Sequence, residues 1–447
     1  MNRPSVASTT GLSAFKHRNY RLFFGGQLVS LIGTWMTAVA QSWLILQLTG
    51  NPFDLGLLTV AQFGPVLVLG LFGGLIADGL PKRRTMYVTQ TVAMGVSFLL
   101  FVLAVTNTVQ VWEVFLLGAV MGVRNSVDMP TRQAFAVEMV GREDVGNAIA
   151  LNSAMFNGAR VVGPAVAGLA IGAFGVSIAF LIDALSFLAV LLGLFLMDEQ
   201  QLRPAPRFVR PTSVTEVFGN LADGLRYVRR TGMILLAITI VGVVATFGIN
   251  FSILIPPLAA DVLHVGASGY GFLMAASGLG SLVAALAIAF GGTRATRMLI
   301  GAIVLGVAEI LIGGISNYAV DLVLMFAAGA GAISMMATAN TVVQLEVPDE
   351  LRGRVMSVYT TVFAGTNPIG GLALGAIAAN AGAPAAIGFG GVVSLLAALG
   401  GVVWYRRLPR SPAGSLTIRK RPLPPVTVVG VLDQTGPLAA DPAGAAD

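Results

Sequence analysis

The sequence predicts an all-α integral membrane protein with twelve transmembrane helices in two six-helix, pseudo-symmetric bundles. Three observations predict it. Of 447 residues, 55% are hydrophobic and only 11% charged, against about 25% charged in a soluble globular chain. Twelve apolar runs are each long enough to cross a bilayer, and 25 of the 27 Lys and Arg residues fall on one side of them. So little charge does not cover a water-facing surface of this length, which excludes an ordinary soluble enzyme. The chain has no cysteine, which removes disulfides, thiolate catalysis and cysteine-based metal centres. The only histidines, His17 and His264, are too few for a histidine metal cage. The net charge of +6 does not indicate nucleic acid, because the basic residues sit in short loops beside apolar runs, as membrane orientation requires.

A hydrocarbon core near 30 Å takes about 20 apolar residues at 1.5 Å each. In order, the runs are 21–48, 54–77, 84–106, 111–134, 147–174 and 176–197, then 232–259, 267–290, 295–316, 319–343, 354–381 and 384–405. Spanning segments satisfy their backbone polar groups internally, so these are helices, and no alternating ten-residue pattern suggests a barrel. Residues 1–20 are polar, and the first run lacks a small-residue cleavage site, so it is expected to persist as the first helix.

The division expected is an N-terminal bundle at 21–197, a central loop at 198–231 and a C-terminal bundle at 232–405. The loop carries Pro204, Pro206 and Pro211, then an amphipathic stretch over Val214–Arg230. The tail 406–447 is rich in Pro, Gly and Ala and is expected to be disordered. Lys and Arg place the N-terminus, the central loop, the even-to-odd loops and the tail in the cytoplasm, and the opposite face has none. The two exceptions, Arg124 and Arg160, lie inside runs.

A shift of 207 residues matches the two halves around the fourth and fifth runs and the tenth and eleventh, without a gap. Gly122, Met129, Thr131, Val140, Glu143 and Gly146 meet Gly329, Met336, Thr338, Val347, Glu350 and Gly353. Phe156, Gly158, Gly163 and Gly168 meet Phe363, Gly365, Gly370 and Gly375. Two like halves related by an axis along the membrane normal form a transporter architecture, with the solute site between them near the midplane.

Several motifs carry chemistry. Gly74 allows close helix approach, and Asp78 stands at a membrane boundary before Lys82 and Arg83. A carboxylate there pairs with cationic groups or a helix N-terminus and latches a gate; the plainer reading is a solvated loop that orients the helix. In the fifth run, Asn157, Arg160, Gly163 and Pro164 follow one another. Gly-Pro bends a helix and frees a carbonyl, and a mid-span arginine is functional or paired. Arg124 and Asp128 share a helix face at i,i+4, as an internal ion pair or as a cavity-facing pair whose carboxylate exchanges a proton. Glu309 is a second proton-site candidate. Asp183, Asn250, Asn340 and Asn367 are further polar candidates along the path, and Asp321 reads as a solvated residue near a span end. Trp35, Trp43, Phe63 and Phe156 line an apolar cavity or serve packing. No GxxxxGK[ST] motif is present to support ATP coupling, no cofactor is expected, and no catalytic constellation appears.

The six-plus-six organisation, the central loop and the run Gly74…Asp78…Lys82-Arg83 resemble the major facilitator superfamily, departing from its loop signature at Gly79 and Pro81. The fifth run, with Gly163-Pro164, resembles the antiporter signature of that superfamily in an atypical form. Arg18-Asn19-Tyr20-Arg21-Leu22-Phe23-Phe24-Gly25-Gly26-Gln27, Gly33-Thr34-Trp35-Met36 and Asn157-Gly158-Ala159-Arg160…Gly163-Pro164 are similar to the enterobactin-exporter-like group, which includes macrolide-type efflux pumps. The resemblance implies a monomeric secondary transporter in the inner membrane that expels a drug, siderophore or related metabolite in exchange for protons. The rival expectations are import of a vitamin-like solute on the same fold, and a membrane receptor or scaffold that moves no solute.

Overall fold

The computed structural model describes residues 12–203, 214–291 and 294–408; the side chains of 71–78, 142, 214–218 and 291 lie outside the described set. The tail expected to be disordered therefore falls outside the described residues from 409 onward. The N-terminal half contains α1 (Arg18–Thr49), α2 (Pro52–Gly79), α3 (Lys82–Val105), α4 (residues 111–140), α5 (residues 142–174) and α6 (Ser177–Phe195). The connecting helix α7 (Val214–Arg230) leads to α8 (Gly232–Val262), α9 (Gly266–Gly291), α10 (Ala295–Gly314), α11 (Tyr318–Glu346), α12 (Asp349–Ala381) and α13 (Ala383–Arg407). Eleven of the described helices are long and apolar enough to cross a membrane. The twelfth, α4, is of similar length but carries Arg124, Asn125, Asp128 and Arg132 in its body.

Local chemistry sets the boundaries. Gly50, at φ 62°, closes α1 in the left-handed conformation, with its N–H on the Leu46 carbonyl. Asn51 then caps α2, its side chain accepting from the Phe53 N–H at 3.0 Å with Pro52 at the first helical position. Helices α4 and α5 run on as Val111–Phe174 except at Gly141, where φ is 72°. Arg203 fills the space that a side chain would need there, its Nη1 standing 2.6 Å from where a Cβ would be, and its N–H donates to the Glu138 carbonyl at 2.9 Å. Gly141→Ala is expected to cost about 1–3 kcal/mol of backbone strain and to release this docked strand, read as a lower unfolding temperature in detergent.

The sequence reads α8 as continuous. It is broken instead: a helix over Gly232–Phe247, irregular backbone through Asn250, a short helix Phe251–Pro257 and a π turn Leu258–Val262. Consecutive Pro256 and Pro257 donate no N–H, and the Pro256 ring crowds the Ser252 carbonyl, so the regular ladder fails. The connecting helix α7 docks on the second half, where Asp223 pairs with Arg354 at 3.1 Å and Gly224 lies against the Arg354 carbonyl.

The repeat is visible in the packing. Gly122 lets α4 meet the Gln62 carbonyl of α2, and its equivalent Gly329 lets α11 meet the Ser277 carbonyl of α9. Gly163 seats α5 on Trp35 and the Ile32 carbonyl of α1, and Gly370 seats α12 on the Thr246 carbonyl of α8. Gly168 brings α5 to Gly271 and Ser268 of α9, and Gly375 brings α12 to Pro52 and Phe53 of α2. Small residues let helix backbones touch in lipid, where no hydrophobic gain drives association.

The last pair of contacts joins the halves at the end opposite the termini. Gly56 faces the Gly371 carbonyl there, the Ser268 hydroxyl donates to the Gly168 carbonyl at 3.0 Å, and Trp43 of α1 stacks on Tyr270 of α9 at 6.1 Å. Toward the termini, Gly146, Gly158 and Gly353 have nothing within 4 Å of where a side chain would start. The close backbone contacts between the halves thus lie away from the end that carries the basic loops, reaching inward as far as Gly278 on the Arg160 carbonyl.

Candidate translocation site

Below the seal, α5 presents Phe156, Asn157 and Arg160. Arg160 lies over the Trp35 ring at 5.7 Å, and Trp35 meets Phe156 edge-on at 5.7 Å. Among the described residues no carboxylate pairs with Arg160. Asn157 donates to the Ser153 carbonyl of its own helix at 2.8 Å. The 207-residue shift places Asn367 of α12 at the position of Arg160, three residues before Gly370 as Arg160 is three before Gly163. Polar groups therefore occupy matching positions on the two helices that both seat on their own half and seal against the other. Asn340 of α11 accepts from Gln344 one turn further on.

Arg124 and Asp128 lie elsewhere, inside the N-terminal half. Asp128 is fully buried, and its Oδ1 accepts from Thr89 at 2.7 Å and Gln90 at 2.8 Å and lies 3.3 Å from Arg124. Its Oδ2 pairs with Arg132, which charge counting had assigned to a loop. Arg124 also donates to the Thr89 carbonyl at 3.1 Å and to Asn125 at 2.9 Å, and stands over Phe187 of α6 at 6.0 Å. The expected pair is therefore a node tying α3, α4 and α6, with both carboxylate oxygens filled by donors. Asp183 of α6 forms a second polar knot, accepting from Thr37 of α1 at 2.8 Å and Ser97 of α3 at 2.6 Å.

In the C-terminal half, Asn250 is buried at the break in α8 and donates to the Thr246 carbonyl at 2.7 Å, which uses its amide for the fold. Glu309 is buried too, and its Oε2 has no partner. Asp321 is not solvated: it is fully buried in the first turn of α11, where the helix N-terminus favours a carboxylate.

At the termini end, the Asp78 side chain and the surroundings of Gly74 lie outside what is described. Lys82 opens α3. Arg83 donates to the Leu194 carbonyl through Nε at 2.9 Å and Nη2 at 2.7 Å, and pairs with Glu199. A guanidinium on the last carbonyls of α6 complements the helix dipole, so in this state Arg83 serves α6 within its own half. Two features at this end gave no signal in the sequence. His17 pairs with Asp144 at 2.9 Å, and the Tyr20 hydroxyl donates to the Ala148 carbonyl at 3.1 Å, fastening the N-terminal segment to the start of α5. At the far end, Pro164 keeps α5 close to α9: its carbonyl is 2.5 Å from where a side chain on Gly271 would begin.

A family model described as a transmembrane secretion effector matches residues 9–439. The multidrug efflux pump Tap of Mycolicibacterium fortuitum is 29% identical over 361 residues, covering 78% of this chain and 87% of Tap. The enterobactin exporter EntS of Shigella flexneri is 25% identical over 408 residues, covering 89% of this chain and 94% of EntS. The crystal structure of the nucleoside transporter NupG aligns with a TM-score of 0.69 at 14% identity, covering 87% of this chain and 99% of NupG, a likeness of fold alone. With the halves and their repeat in place, the chain belongs to the transmembrane secretion effector family, multi-pass membrane transporters of the major facilitator superfamily that take small-molecule substrates.

Proposed function

We propose that the protein, as a monomer in the inner membrane with both termini in the cytoplasm, exports a small amphipathic organic molecule in exchange for protons. The observation that carries this reading is Arg160 over Trp35, without a carboxylate partner among the described residues, at the inner edge of the contact between the halves. The end away from the close contacts is the open one on this reading, and the basic loops put it in the cytoplasm, so this state loads from inside. Residues 21–197 and 232–405 are the two moving units, rocking about the seated helices α5 and α12 with 198–231 as a strap. Gly74, Asp78, Lys82 and Arg83 close the inner gate. The names of Tap and EntS, a multidrug pump and an enterobactin exporter, support export of drugs or siderophores. One proton entering supplies about 2.3 kcal/mol per 100 mV, enough for a gradient of tens-fold.

Arg160 without a carboxylate partner favours cargo with an anionic or strongly accepting group, while Trp35 and Phe156 take its apolar body. Arg160→Ala is expected to lower efflux of such cargo at least about tenfold, because a charge-assisted contact of ~1.5–3 kcal/mol is lost, with Arg160→Lys retaining part of it. The test compares accumulation of metabolites and drugs in cells with and without the protein, with and without an uncoupler. Lower accumulation that the uncoupler abolishes is the expected result; higher accumulation of any solute with the protein present, or no difference for any, overturns export.

A further inference from the structure

Each half holds a buried carboxylate wedged between its first, third and sixth helices, against a glycine. In the N-terminal half the glycine is Gly33 of α1, and a side chain there would meet Asp183 Oδ1 and Ser186 Oγ, each at 2.6 Å. In the C-terminal half it is Gly248 of α8, and a side chain there would meet Ser394 Oγ at 2.6 Å, the Val244 carbonyl at 2.9 Å and Glu309 Oε2 at 3.2 Å. The acid has changed helices between the halves: it is on the sixth helix in one, facing Ser97 of the third, and on the third in the other, facing Ser394 of the sixth.

The two nests differ in their donors. Asp183 Oδ2 receives hydrogen bonds from Thr37 and Ser97, its Oδ1 is buried without a partner among the described residues, and its charged neighbour is Arg124. Glu309 receives none at Oε2, and Ser394 Oγ is likewise buried without a partner. From α8 it faces Gly248 and the Val244 carbonyl; from α13, Gly391 and Ser394; α11 meets α10 further along, through Gly331, Ser334 and Met335 against Gly301. None of these groups is charged. An ionised carboxylate sealed in hydrocarbon without a donor costs far more than a neutral acid, whose O–H needs only an acceptor. Ser394 Oγ, the Val244 carbonyl and Glu309 Oε2 all border the space beside Gly248, with no hydrogen bond between Ser394 Oγ and Oε2.

The site also sits where the helix is interrupted. Gly248 begins the irregular stretch of α8, and Gly370 and Gly390 of the neighbouring helices leave room for the Thr246 and Phe247 carbonyls. Irregular backbone at membrane depth survives only where protein or a cavity covers it, and interrupted helices are where transporters hold coupling ions.

We infer that Glu309, Ser394 and the break in α8 form the proton site of the C-terminal half, with Glu309 carrying the proton as a neutral acid in the state open to the termini end. On release, the O–H bond breaks, the proton passes to water, and the carboxylate left behind needs donors; the Ser394 hydroxyl, not bonded to it in this state, supplies one only if α8 or α13 shifts at the break. Asp183, with two donors on Oδ2 and Arg124 nearby, holds α1, α3 and α6 together. The inference rests on the proton-coupled reading only for its purpose; the site itself is tested without transport.

The experiment is infrared difference spectroscopy on the full-length protein in detergent, with pH, stepped from neutral to alkaline, as the only variable. The expected result is a carbonyl-stretch band of a neutral carboxyl that is lost in Glu309→Gln, kept in Asp183→Asn and shifted in Ser394→Ala. No such band in the wild type, or a band that survives in Glu309→Gln, overturns the inference. If Glu309→Gln does not fold, Ser394→Ala decides, and an unshifted band overturns it. A band that behaves as expected in a protein without uncoupler-sensitive efflux leaves the site in place and removes the coupling, which separates the two failures.

Discussion

Asp128→Ala is expected to lower stability by ~3–5 kcal/mol, the penalty for removing one partner from a buried ion pair. The substitution strands two guanidiniums, those of Arg124 and Arg132, and leaves Thr89 and Gln90 without their acceptor. Asp128→Asn keeps the shape and loses the charge, so it suffers most of the same loss. Thermal unfolding in detergent measures it, and Arg124→Gln added to Asp128→Asn is expected to recover part, since one stranded charge is then gone. The same variants separate the two roles that the sequence allowed for Asp128. A structural node loses stability. A proton-exchanging group leaves stability unchanged and loses only uncoupler-sensitive efflux, and that second outcome would return the proton role to Asp128.

The second large effect is expected at the seal. In Gly56→Val a branched side chain points at the Gly371 carbonyl, and in Gly168→Val one starts 2.9 Å from the Gly271 Cα. Backbone does not yield as a flexible side chain does. Overpacking of this kind costs ~1–3 kcal/mol per site, all of it charged to the state with this end closed. Because the chain has no cysteine of its own, a single cysteine placed at Ala267, buried beside the seal, reports the state without background. Labelling by a membrane-impermeant thiol reagent is expected to rise about tenfold or more in either valine variant, with efflux falling in parallel. Unchanged labelling would mean that the two helix pairs part elsewhere.

Much of this was legible in the chain. Hydropathy marks spans because the bilayer dictates their length, and each run lies within a few residues of its helix. The 207-residue shift pairs glycines that do make matching contacts, since only a missing Cβ lets two backbones touch. Spacing at i,i+4 exposes Arg124 and Asp128 because a single helix carries both. What failed to show is tertiary. Thr89 and Gln90 reach Asp128 from another helix, and no spacing connects them. Arg83 and Arg132 counted as loop charges, because a charge tally is blind to partners. Asn250 and Asp321 were read by depth alone, whereas their burial depends on what packs beside them. The interruption of α8 is hidden in an unbroken apolar run, and only Gly248 and the Pro256-Pro257 pair hint at it.

The junction between the halves is built largely of main chain, with the Trp43–Tyr270 stack and the Ser268 hydroxyl beside it. Carbonyls and Cα atoms of α2, α5, α9 and α12 meet through glycine, while the side chains that would greet a cargo lie nearer the other end. On the proposed reading, selectivity and closure draw on separate sets of residues. Exchanges at Phe156, Asn157, Arg160 or Asn367 then alter the cargo without rebuilding the door, which gives an engineer seeking altered selectivity a place to start.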